Sequence, residues 1–101
     1  GNGIHNMSPT PGGIPVGTTT PTITGNTITG NGAYGISNVY SSSPKIINNR
    51  ITDNGGTSYT DIFVDATSAP NISFNVYDDI TGDTGVGQFN VTSNGDIAPA
   101  P

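Results

Sequence analysis

A phrase of fixed internal spacing returns three times in this chain: Pro21-x-Ile23-x-x-Asn26, Pro44-x-Ile46-x-x-Asn49 and Pro70-x-Ile72-x-x-Asn75. The prolines stand 23 and then 26 residues apart. A unit that short cannot bury a hydrophobic face alone, so copies of it must stack on one another as a solenoid. A second landmark agrees with the first. The turn sequences Thr29-Gly30-Asn31-Gly32, Thr52-Asp53-Asn54-Gly55 and Thr81-Gly82-Asp83-Thr84-Gly85 follow each phrase, and Gly and Asn there tolerate positive φ. A further strand follows each turn, at residues 35–39, 61–64 and 88–91, and both Ile36 to Pro44 and Ile62 to Pro70 span 8 residues.

Composition supports strands and argues against helix. Leu and Glu are absent, while 12 residues are Ile and 6 are Val. Short strands, each paired in parallel with its counterpart one rung away, are predicted. One domain of 101 residues is expected, with rungs at 21–43, 44–69 and 70–98, a partial rung and Pro-rich loop at 1–20, and a tail at 99–101. The spacing predicts three interior columns: Ile23, Ile46 and Ile72; Ile28, Ile51 and Ile80; Ile36, Ile62 and Phe89. Asn26, Asn49 and Asn75 share one aligned position, where side-chain amides can bond along the column as a structural ladder and pin the register.

Charge narrows the partners. With Lys45 and Arg50 as the only basic residues and a net charge of −5, the chain lacks the footprint that neutralises phosphates, so nucleic acid is excluded as a partner. No apolar run reaches about 18 residues, so no membrane span is expected. There is no cysteine for a disulfide framework or a thiolate metal site. The Thr, Asn, Ser and Gly content, 15, 12, 9 and 15 residues, reads as an extracellular or cell-surface protein. Three Asn-x-Ser/Thr triplets, at Asn6, Asn71 and Asn90, are N-glycosylation acceptors only in a secretory setting.

The run Pro-x-Ile-x-x-Asn-x-Ile-Thr-x-Asn-Gly, followed by Gly-Ile, resembles the right-handed parallel β-helix repeat of the pectin-lyase-like superfamily over residues 21–98, and more weakly over 1–20. The resemblance implies an all-β fold, a right-handed parallel β-helix of about three rungs plus a partial N-terminal rung. It selects no activity, because that superfamily includes polysaccharide lyases, glycosidases, phage tailspikes, adhesins and non-catalytic surface proteins.

Within that resemblance the acidic cluster Asp78, Asp79 and Asp83 is the best chemical candidate. Lyases of the superfamily hold Ca²⁺ with aspartates, and hard carboxylate oxygens suit that ion; polygalacturonase-like members use paired aspartates as acid and base. Adjacent strand residues point to opposite faces, so Asp78 and Asp79 converge only through a bulge, and a solvated acidic turn is the simpler reading. His5 lies in the partial first rung, far from the cluster in sequence, and Arg50 follows the Asn49 ladder position with Asp53 nearby. No Gly-x-Ser-x-Gly elbow is present, and residues 82–87 have phosphate-loop glycines without the lysine. No catalytic residue is assigned. Tyr34, Tyr59 and Tyr77 are candidates for a sugar-stacking surface, Tyr34 and Tyr59 falling in equivalent turns.

Two departures from the repeat stand out: a Pro-rich connection at 8–20, and about three extra residues at 76–79, where an insertion would form a loop on one face. The chain starts in mid-rung and ends in a Pro-Ala tail, with residues 9–15 and Pro99/Pro101 as expected caps. The reading is a non-enzymatic, secreted structural β-solenoid that associates with itself end to end or in filaments, or is part of a longer β-helix. The alternative is a polysaccharide-binding or polysaccharide-degrading module, with calcium as the one conceivable cofactor.

Overall fold

The structure is a computed structural model and describes residues 1–7, 20–82 and 89–98. Among the described residues ten short strands follow one another: β1 (Ile4–Met7), β2 (Thr22–Thr24), β3 (Thr27–Thr29), β4 (Ile36–Val39), β5 (Lys45–Ile47), β6 (Arg50–Thr52), β7 (Ile62–Val64), β8 (Asn71–Ser73), β9 (Val76–Tyr77) and β10 (Ile80–Thr81). They pair in parallel as three sheets, β1-β4-β7-β10, β2-β5-β8 and β3-β6-β9. Each turn of the coil contributes one strand to each sheet. Three such turns follow the lone β1, which makes an all-β parallel β-helix.

Register explains why this sequence stacks. Ile23, Ile46 and Ile72 are direct partners in one sheet. Strand alternation sends these side chains inward and their neighbours outward, hence the exposed–buried–exposed pattern of β2. In the sheet containing β1 the file is Ile4, Ile36, Ile62 and Ile80. In the third sheet Ile28 and Ile51 are followed by Tyr77, which is fully buried. Identical β-branched side chains one strand apart pack on one another, and these files are the core.

Two of the sequence expectations need correction. Ile80 does not continue the Ile28–Ile51 file, and Phe89 does not continue Ile36–Ile62. Residues 76–79, read as an insertion loop, hold β9 and a turn of only Asp78 and Asp79. The chain therefore reaches the third face early: Tyr77 takes the place expected for Ile80, and Ile80 the one expected for Phe89. Phe89 is instead 67% exposed at φ 64°. Behind it, Val91 bridges Val76 in parallel and Ile97 in antiparallel fashion. The Pro-rich connection and the expected cap at 9–15, Gln88, Pro99 and Pro101 lie outside the described residues.

Side-chain amides fill the polar positions inside the coil. Asn26 donates through Nδ2 to Asn49 Oδ1 at 3.1 Å, Asn49 to Asn75 Oδ1 at 3.1 Å, and Asn75 to Asn90 Oδ1 at 3.2 Å. Each of these acceptor oxygens also takes the backbone N–H of the residue above, and Asn49, Asn75 and Asn90 donate to the carbonyls of Ile23, Ile46 and Ile72. A primary amide has donor and acceptor in one plane, so it can serve both its neighbours and the backbone. Asn90 extends this ladder beyond the three asparagines legible in the repeat.

Candidate functional site

A second amide file runs beside the first and ends differently. Asn31 donates through Nδ2 to Asn54 Oδ1 at 2.9 Å, and Asn54 donates to Asp61 Oδ1 at 3.0 Å. Asp61 stands directly below Gly35, which stands below Gly3, because Ile4, Ile36 and Ile62 are register partners. The glycine is required on the upper levels. A Cβ at Gly35 would lie 2.6 Å from Ile51 Cγ2 and 2.7 Å from Asn54 Nδ2. On the next level the turn is too short to send an asparagine through that space. Asp61, 1% exposed, fills it with its own carboxylate.

That carboxylate accepts from Asn54 N at 3.1 Å and, through Oδ2, from Asp78 N at 3.0 Å. Asp61 N donates to Asp79 Oδ1 at 2.7 Å. Burial pushes the Asp61 carboxyl above its ordinary value, with the charge of Asp79 adding to the rise, and the hydrogen bonds from Asp78 and Asn54 only partly offset it. At Asp65 burial pushes the same way, but donation from Tyr40 N–H, Thr67 and Ser68 outweighs it and holds that carboxyl low.

The nine-residue loop at 53–61 overhangs the two-residue turn below it and opens a cleft of about 360 Å³ lined by Asp53, Asn54, Gly56, Asp61, Asp78 and Asp79. Of the candidate metal ligands, Asp78 and Asp79 thus border one cleft, and Asp83 lies outside the described residues. Both are already engaged: Asp78 Oδ1 accepts from Ser93 N and Ser93 Oγ at 2.8 and 2.9 Å, and Asp79 caps Asp61. Among the described residues no group of three or more His, Cys, Asp or Glu is placed to hold a metal ion. His5 sits on β1, with Asn2 Nδ2 3.4 Å from its Nδ1, on the opposite side of two intervening levels from β10.

The aromatic candidates separate. Tyr34 and Tyr59 meet edge to face with centroids 5.0 Å apart, and Tyr34 stacks on Phe63 at 4.7 Å. Tyr77 is a correction: with no exposed surface it is a core residue and offers no face to a sugar. Sequence reading missed a second pair. Phe74 and Phe89 stack at 4.9 Å with an interplanar angle of 22°, and they are 54% and 67% exposed. Both occupy the left-handed position just before a ladder asparagine, where Gly25 and Asn48 stand on earlier levels. The available signal was the dipeptide Phe-Asn, which occurs at 74–75 and again at 89–90.

The profile of the family described as "Right handed beta helix region" matches residues 1–96. No curated protein and no solved structure matches the chain.

Proposed function

Because the chain belongs to the right-handed β-helix family, and a fold of this kind carries no reaction of its own, we propose that it is a non-enzymatic, extracellular structural element that associates with further copies of itself. The observation that carries this reading is the Phe74–Phe89 pair. A left-handed backbone costs an L-residue about 1–2 kcal/mol, and a bulky side chain there is uncommon. The ladder does not call for phenylalanine, since Gly25 and Asn48 serve the same position. Strain retained for the sake of two exposed rings points to a surface with a job.

The spacing of the rings fits a second copy of this chain as the occupant. Their separation of 4.9 Å follows the strand spacing, so the same array on a second copy can interleave with it as zipper faces do. Val91, 36% exposed, and Ile97, 92% exposed, add apolar surface at the same levels. The Thr, Ser, Asn and Gly content, with only two basic residues, supports the extracellular placement.

Sedimentation velocity over a wide concentration range tests the reading. The chain should associate, and a Phe74→Asn/Phe89→Asn variant should be monomeric while folding at least as stably. A wild-type chain that stays monomeric throughout would remove the proposal.

Binding of a neutral polysaccharide is the second reading, favoured by the Tyr34–Tyr59 contact, because Tyr59 belongs to the loop that walls the cleft. Four aspartates lining that cleft disfavour an acidic glycan. Affinity electrophoresis in neutral and acidic polysaccharides, with and without Ca²⁺, distinguishes them. Retardation by a neutral glycan, lost in Tyr59→Ala, supports this reading, and no retardation in any gel dismisses it.

A further inference from the structure

Three Asn-x-Ser/Thr triplets look equivalent in the sequence, and the fold makes them unequal. Asn6 is 6% exposed and its Nδ2 donates to Asn38 Oδ1 at 3.0 Å inside the coil. Asn90 is 7% exposed, donates to Ile72 O at 3.0 Å, and accepts both the backbone and side-chain N–H of Asn75. A sugar on either amide would have to occupy the packed interior and would displace a bond of the kind that holds one level to the next.

Asn71 differs at every point. It opens β8 on the outer surface, paired in register with exposed Lys45, and its backbone N–H donates to Pro44 O at 2.9 Å whatever its side chain does. Ser73 Oγ, the hydroxyl of the triplet, donates to Asn71 Oδ1 at 2.9 Å. The amide oxygen is therefore held by its own triplet, while Nδ2 of this exposed residue has no hydrogen-bond partner among the described residues.

The geometry points to Asn71 as the one N-glycan acceptor of this chain, Asn6 and Asn90 being structural amides that must stay unmodified. The inference rests on the extracellular placement proposed above and not on self-association. In the transfer, Asn71 Nδ2 bonds to the anomeric carbon of a lipid-linked oligosaccharide. The bond from that carbon to the pyrophosphate oxygen breaks, the lipid pyrophosphate leaves with the electron pair, and Nδ2 gives one proton to a base of the transferase. The glycosylated amide keeps its other N–H and its oxygen, so the contact with Ser73 survives.

The test is expression of the full chain through a eukaryotic secretory pathway, with glycopeptide mapping of the secreted, protease-resistant protein. A glycan at Asn71 alone is expected, and it should vanish in both Asn71→Gln and Ser73→Ala. The second variant keeps Asn71 itself and so guards against a failure of the first to fold. Folded secreted protein that is bare at Asn71, or that carries a glycan at Asn6 or Asn90, would overturn the assignment.

Discussion

Gly35 and Asp61 hold the same place on successive levels of the coil, and they solve opposite packing problems. At Gly35 the level below sends Asn54 through the interior, and only a residue without a side chain leaves room for it. At Asp61 the level below turns after two residues and sends nothing, so an interior vacancy would form were a side chain not directed into it. Asparagine propagates a ladder because it both donates and accepts. Aspartate ends one, because the ionised carboxylate only accepts and can take Asn54 on one oxygen and Asp78 N on the other. The regular levels and the contracted one thus differ in where the polar file stops, and the cleft opens at that step.

The contracted level can be broken most severely at Tyr77. Tyr77→Ala removes a fully buried ring from the Ile28–Ile51 file and should lower the unfolding free energy by about 3–5 kcal/mol, read from the urea midpoint. The comparison itself is tested by Gly35→Ala. Overpacking against Ile51, Asn54 and the Asp61 carbonyl should destabilise by about 1–3 kcal/mol. A Gly35→Ala chain as stable as the wild type would mean that the asparagine file is not tightly held.

Asp61→Asn sharpens the contrast through pH. The folded state holds the Asp61 proton more tightly than the unfolded chain, whose carboxyl stays near 3.8. Stability should therefore fall as pH rises from 3.8 through the raised folded value, and Asp61→Asn should flatten that slope in urea midpoints measured against pH. Asp65 acts with the opposite sign: its contribution is present above 3.8 and is lost as pH falls through its lowered folded value. The two windows lie on either side of 3.8 and can be read separately. The smallest effect is expected at Phe74→Asn/Phe89→Asn, a gain of about 0.5–1 kcal/mol in the monomer from relieved left-handed strain. A loss of stability there would show that the rings support the fold.

Much of the coil was legible because the offsets between Pro, Ile and Asn are local. The Ile23–Ile46–Ile72 file and its parallel pairing follow from them directly. Tyr77 was legible in principle as well: it follows Asn75 by two residues, as Ile28 follows Asn26 and Ile51 follows Asn49. An aromatic stands at that offset in place of isoleucine, and this shifts Ile80 and Phe89 out of the files that isoleucine spacing predicts. Asn90 lacks the Pro-x-Ile prefix of its predecessors, so only its bond to Asn75 identifies it. Asp61 carries no local signature, since its task is set by the length of a turn 17 residues later.

What the sequence determined by itself was the unit and its period, because β-branched residues at fixed offsets from a turn asparagine can bury themselves only against another copy of the same unit. The tertiary structure alone decided where that period contracts, which carboxylate closes the second file, and which of three identical-looking asparagine triplets faces solvent. Those outcomes depend on what lies one level away, and the ladder residues Asn26, Asn49 and Asn75 are separated by 23 and 26 positions along the chain while only one strand spacing separates each from the next in space.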